Sequence, residues 1–347
     1  MPSVTIDASV LAAPSVHSGP EGARRYVDTL LDWSVLLEEP WVAIYMSERS
    51  SESLDDDGVY PFREQLQRVF SENGITEFSV NDVSQVITRL LKLTPSFETF
   101  FRIRDVLTED LATEPDVISL CSGDKLQSDL GRCIVLIAIL RHHCNEPVVD
   151  HSLILPSAPR KIVQVRARIQ ILEHDRDDMS TPPTAPDYFQ GDVLVCDDFR
   201  GLIDCLDEAT LLLKATDNVG VETAIRVAVH KARMARGMVP EWDVVPDCRV
   251  GHAFLTSFND RHPTAQLSAK VLRAIIETLE QTNMAATHPL RTGRGGGDPE
   301  RVRTSDQAKA WRRDIDRDHH LHYWACEHGF VEIASVSFPH DDFAIPE

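Results

Sequence analysis

Six residues near the C-terminal end carry side chains suited to moving protons and neutralising phosphate charge: His288, Arg312, Arg313, His320, His322 and His340. An imidazole titrates near neutrality, so it can take a proton in one step and return it in the next. A guanidinium stays charged and can face negative charge. The stretch "HHLHYW" (319–324) also has a plainer reading as the rim of a strand. Period two then turns His320 and His322 toward water or a neighbour, and Leu321 and Tyr323 toward the core. A metal site or a partner-binding surface is a further alternative.

Other constellations are weaker. Asp7 in "VTIDASVLAA" stands near the end of a first strand. PIN-type nucleases begin similarly, with a strand-borne aspartate on a divalent metal. Such a metal needs further hard oxygen ligands, for which Glu38, Asp116 and Asp124 are the candidates. "RHHCNEPVVDH" offers His142, His143, Cys144, Asp150 and His151 in no zinc-knuckle spacing, so it reads as a helix end. In "CDDFRGLIDCLDE" either Asp197 or Asp198 reads as a helix N-cap. "RTGRGGGDPER" lacks the phosphate-loop pattern and reads as a flexible linker. No cofactor motif and no metal motif is read from the chain.

Composition limits the partners. The 347 residues carry 55 acidic against 35 basic side chains, a formal charge of −20. That field repels polyanions at long range, so no DNA is expected on the acidic bulk. RNA needs a local patch. The window 287–324 provides one, with eight Arg or Lys, six acidic residues and four His. Seven cysteines with no CxxC pair suggest free thiols in a reducing compartment. The chain shows no secretory leader, and "CIVLIAIL" (133–140) is too short for a bilayer, so a cytoplasmic protein with no membrane partner is expected.

The elements that would hold these residues divide into three parts. Residues 1–150 read as an α/β domain. Its strands are "SVTIDASVLAA" and "PWVAIYMS", and its helices include one from Pro20, "FREQLQRVFSENG" capped by Gly74, and the apolar "KLQSDLGRCIVLIAILRHHC". Residues 151–250 read as a mixed α/β region, in which "RKIVQVRARIQIL" alternates as a half-buried strand. "DDMSTPPTAPD" is a loop, and "VETAIRVAVHKARMARG" is a helix ending at Gly237. Residues 251–347 read as a helix over about 264–283, a loop, and two strands, "RDHHLHYW" and "FVEIASVSF", joined at "CEHG". The fold class is mixed α/β.

Within 286–340, "THPLRTG", "AWRRDIDRDHHLHYW" and "FVEIASVSFPHDD" resemble the C-terminal half of RelE/YoeB-type toxins. Those proteins carry a helix, a "PL+G"-like turn, a Trp–Arg strand, an "EHRLVY"-like strand and a last strand. The matching pieces are His288-Pro289-Leu290, Trp311-Arg312-Arg313, Asp318 to Tyr323, Val331 to Val336, and His340. His288 replaces the family's catalytic glutamate, His320 its arginine, and His340 stands nearest its terminal His-Tyr pair. The resemblance implies a RelE-like helix and antiparallel sheet, and a metal-independent ribonuclease of toxin or defence type acting on RNA. It also implies a partner protein or antitoxin. Two alternatives stand beside it: a non-catalytic accessory protein of a prokaryotic defence system, and a PIN-like metal nuclease using Asp7.

Overall fold

The computed structural model describes residues 2–145, 148–179, 186–238, 242, 248–293, 297–338 and 345–346. The fold is mixed α/β and divides into two compact units, residues 2–205 and 206–347. The boundaries expected near 150 and 250 give way to this single division. The reason lies in the first sheet, whose strands from either side of residue 150 pair with one another.

In the N-terminal unit β1 (Ser3–Ile6) is followed by α1 (Ala8–Leu11), α2 (Gly19–Leu36), β2 (Ala43–Met46), α3 (Ser50–Asp56), α4 (Arg63–Glu72), α5 (Val80–Leu93) and α6 (Phe97–Phe101). Then come β3 (Ile103–Glu114), α7 (Asp124–His142), β4 (His151–Ile154), β5 (Ile162–His174), β6 (Asp187–Cys196) and α8 (Phe199–Cys205). The sheet order is β2-β1-β4-β6-β5-β3. The first four strands are parallel, and β5 and β3 run antiparallel to their neighbours.

The strand read through "SVTIDASVLAA" stops at Ile6, because Asp7 turns the chain by capping α1. Its Oδ1 accepts the Ser9 amide at 2.9 Å. The alternation in β5 is as expected, with Val163, Val165, Ala167, Ile169 and Ile171 buried. Asp198 caps α8 by accepting the Gly201 amide at 2.6 Å. The strand β3 was not read from the sequence, since its outer positions are charged and it forms a sheet edge. The start of α7 is held by Asp57, which accepts the amides of Lys125 and Leu126. Gly123, at φ +118°, leaves that carboxylate room: a Cβ there would lie 2.2 Å from Asp57 Oδ2.

The C-terminal unit runs α9 (Glu208–Leu213), α10 (Asn218–Ala235), β7 (Cys248–Val250), α11 (Phe254–Asn259), α12 (Ala265–Leu279), β8 (Thr287–Pro289), β9 (Lys309–Asp314), β10 (His320–Ala325) and β11 (Val331–Ser337). The sheet order is β7-β11-β10-β9-β8. Neighbours from β8 to β11 are antiparallel, and β7 runs parallel to β11. The helix α12 matches the expected span, with Thr264 as N-cap and Val271, Leu272 and Ile275 buried. The segment 311–324 is not one strand. Asp316 and Asp318 close a tight turn, with the Ile315 amide on the His319 carbonyl, so β9 and β10 form a hairpin.

The described part of the stretch read as a flexible linker is hydrogen-bonded, with the Thr292 amide on the Pro299 carbonyl at 3.0 Å and the Arg301 amide on the Leu290 carbonyl at 2.8 Å, and the chain just beyond it is packed. Arg303 is buried, lies 4.9 Å from the Trp324 ring centroid and pairs with Glu332 at 2.8 Å. Leu290, Ala308, Ala310, Trp324, Ala334 and Ile345 form a core cluster beside it.

All seven cysteines are free thiols. Among the described residues no helix is long and apolar enough to cross a membrane.

His151, expected near a helix end, instead lies buried in β4 between two hydroxyls of β1, Ser3 Oγ on Nδ1 and Thr5 Oγ1 on Nε2, each at 2.8 Å. Burial, with a contribution from the Arg141 charge, pushes its imidazole down to about 3. The unfolded chain takes up this proton near pH 6.5, and the folded chain takes it up only near 3. Stability is therefore lost as pH falls through that window, at about 1.4 kcal/mol per pH unit for this one group. His151→Gln is expected to remove that slope between pH 6 and 4, measured by urea unfolding at a series of pH values.

Candidate functional site

Strand register sorts the six predicted residues of the C-terminal unit. His288 of β8 stands opposite Arg312 of β9, which stands opposite His322 of β10. Asp314 stands opposite His320. Residues directly opposite share a face, and period two places 312 with 314 and 320 with 322. One face therefore carries His288, Arg312, Asp314, His320 and His322. Thr287, Arg313 and Leu321 lie on the other.

On the first face three of the predicted residues meet around Asp314. Arg312 Nη1 is 3.4 Å from His320 Nδ1. His320 Nε2 is 3.4 Å from Asp314 Oδ1, and His288 Nε2 is 3.8 Å from Asp314 Oδ2. The cluster spans accessible and enclosed positions: the His288 side chain is 46% exposed and that of His320 only 8%. Asp314 was not among the predicted residues. Its signal was its place two positions after Arg312, which puts both on the same side of a strand.

Two predicted residues have other roles. Arg313 is fully buried on the opposite face. Its guanidinium reaches Glu277 Oε2 at 3.0 Å and the carbonyls of Glu277, Thr282 and Asn283 at 2.9–3.3 Å. It thus neutralises the negative end of α12 instead of facing a phosphate. His322 is also fully buried, with Nε2 2.8 Å from Ser337 Oγ. Neither His320 nor His322 faces water, because β10 is covered on both faces along 320–324. His340 lies outside the described residues.

Much of the basic window is already matched by partners. Arg303 pairs with Asp306 and Glu332, Arg313 with Glu277, and Lys309 with Glu300 at 3.2 Å. The local patch is narrower than the residue count implied, and Arg312 is the cation beside the histidine pair.

A second polar cluster lies in the N-terminal unit, at the C-terminal ends of β1 and β2. β1 lies between β2 and β4, and such a reversal of strand order opens a crevice at strand ends. Asp7 is buried there, and burial, assisted by the Asp129 charge, pushes its carboxyl up to about 7. Asp129 on α7 accepts Ser47 Oγ at 2.8 Å and Arg132 Nη2 at 3.0 Å through Oδ1. Its buried Oδ2 has no hydrogen-bond partner among the described residues. Arg132 also binds Glu98 and donates to the Arg104 carbonyl at 3.1 Å.

The acidic candidates named for Asp7 lie elsewhere. Glu38 pairs with Arg89, Asp116 accepts the Ser119 amide, and Asp124 is exposed at the start of α7. Glu98, Asp129 and Arg132 were missed. Their one signal was an Asp and an Arg three positions apart, just ahead of the apolar run 133–140 of α7. Among the described residues no group of three or more His, Cys, Asp or Glu is arranged to hold a metal ion.

No protein-family model matches the chain, and neither a curated protein nor a solved structure matches it.

The contrast between adjacent arginines is measurable. Arg313→Ala leaves Glu277 and several carbonyls unpaired in the interior and is expected to cost about 3–5 kcal/mol in chemical denaturation. Arg312→Ala, on a partly exposed contact, is expected to cost about 1 kcal/mol or less in the same measurement.

Proposed function

We propose that the C-terminal unit is a metal-independent endoribonuclease of the RelE-like kind, acting as a toxin or in defence. The observation that carries this reading is the meeting of His288, Arg312 and His320 around Asp314 on one sheet face. Imidazole supplies proton transfer near neutral pH, and Arg312 supplies permanent positive charge. The element order lends support. A helix is followed by a short strand with His288, a strand with Trp311-Arg312-Arg313, a strand with His320 and His322, and a last strand, an order compatible with this reading. RNA is the proposed substrate, because its 2′-hydroxyl provides an internal nucleophile that needs only a base. An acidic chain with a narrow basic patch at this site would engage few nucleotides. A partner protein or antitoxin that covers this face belongs to the same proposal.

The test is cleavage of single-stranded RNA by the full chain in EDTA. His288→Ala and Arg312→Ala are each expected to lower the rate by about 10²–10⁴-fold, with folding checked by circular dichroism. Cleavage unchanged by both substitutions would overturn the reading. RNA or protein binding through the same residues with no cleavage would favour the non-catalytic accessory role.

One observation favours a second reading, a PIN-like metal nuclease in the N-terminal unit. Asp7 and the unpartnered Oδ2 of Asp129 stand at the end of parallel strands. A hydrated Mg²⁺ is commonly held by one or two carboxylates alongside substrate phosphates. A metal held by Asp7 and Asp129 would polarise a phosphoryl oxygen. Arg132 already neutralises part of this cluster, which places the reading second. Its mark in the same assay is cleavage that EDTA abolishes and that Asp129→Asn removes.

A further inference from the structure

The contacts around Asp314 do more than gather polar groups. They sort them into roles, within the ribonuclease reading on which this inference rests. A guanidinium has only donors, so the 3.4 Å contact from Arg312 Nη1 makes Nδ1 of His320 the acceptor. The neutral ring then carries its proton on Nε2, and that atom faces Asp314 Oδ1 at 3.4 Å. The second carboxylate oxygen faces His288 Nε2 at 3.8 Å. One carboxylate thus stands between two imidazoles, each presenting Nε2. His320 has one nitrogen engaged by a cation and the other by an anion, in a side chain only 8% exposed. His288, at 46% exposure, is the imidazole that a substrate can reach.

We propose that Asp314 is a positioning residue. It holds His288 with Nε2–H toward the carboxylate, so that Nδ1 is the basic nitrogen. This is the logic by which a carboxylate sets the tautomer and orientation of a catalytic imidazole. His320 is the spacer that fixes Asp314 and Arg312 relative to one another. The substrate is RNA. His288 Nδ1 takes the 2′-hydroxyl proton, the 2′-oxygen bonds to phosphorus, and the phosphorus–O5′ bond breaks. The departing 5′-oxygen takes a proton from water, and His288 returns its own to solvent. The products are a 2′,3′-cyclic phosphate and a 5′-hydroxyl. Arg312 faces the phosphate throughout.

Two arms test this on the full chain. In the kinetic arm Asp314→Asn, an exposed substitution, is expected to lower kcat about tenfold or more with KM unchanged. His320→Ala behaves alike. His320→Gln, whose amide can accept from Arg312 and donate to Asp314, restores part of that loss. Asp314→Asn at wild-type kcat overturns the proposal. So does His320→Gln with no more activity than His320→Ala, since His320 would then move protons itself.

The second arm needs no cleavage. It follows carbethoxylation of His288 by diethyl pyrocarbonate, with peptide mapping by mass spectrometry. The ring is a better nucleophile beside the carboxylate, so the reaction is expected to be severalfold slower in Asp314→Asn. Equal rates overturn the pairing. If the wild-type chain cleaves no RNA, the ribonuclease reading fails while this arm still decides the role of Asp314.

Discussion

The constraint that organises the C-terminal unit is the two-residue period of a strand covered on both faces. Arg312 and Arg313 are adjacent in the chain, yet the pleat sends their guanidinium groups to opposite sides of β9. Arg313 enters the interior and is acceptable there only because Glu277 in the last turn of α12 offers its carboxylate and carbonyl, and the chain just beyond the helix offers the carbonyls of Thr282 and Asn283. That anchorage fixes β9 against α12. With β9 in place, register brings Arg312 and Asp314 level with His288 on one side and with His322 and His320 on the other. The polar face thus follows from a buried charge it does not contain.

The N-terminal unit handles buried charge differently. Arg132 holds Asp129 and Glu98 together with Ser47 in a network whose members are at most 7% exposed. Each charge is affordable only because the others are there, and removing one partner would strand the rest. Asp7 stands just beyond this network with no ion-pair partner among the described residues, and burial pushes its carboxyl upward. His151 differs, since both of its ring nitrogens are bonded and it joins β1 to β4.

Much of the fold was legible from local patterns. Thr264 and the stripe of α12, the alternation of β5, the cap at Asp198 and the turn glycines at 74 and 237 each depend on neighbours within one element. The site was legible in part. Arg312 and His320 meet because the β9–β10 hairpin follows from local alternation and a polar turn, and His288 reaches them through the longer-range pairing of β8 with β9. Arg313 lies on the opposite face and His322 is covered, since a face can be polar in sequence and still be buried.

By itself the sequence determined most of the longer elements (though not β3 or β4), the acidic balance, and the crowding of imidazole and guanidinium groups into the last strands. Those properties reside in composition and in periods of two and three to four residues. Only the tertiary structure decided which arginine is anchorage and which faces the site, that Asp314 stands between two histidines, and that Glu98, Asp129 and Arg132 form one network. These depend on pairing between residues tens of positions apart, and the free energy of a buried charge is set by the partner that arrives, not by the residue that waits for it.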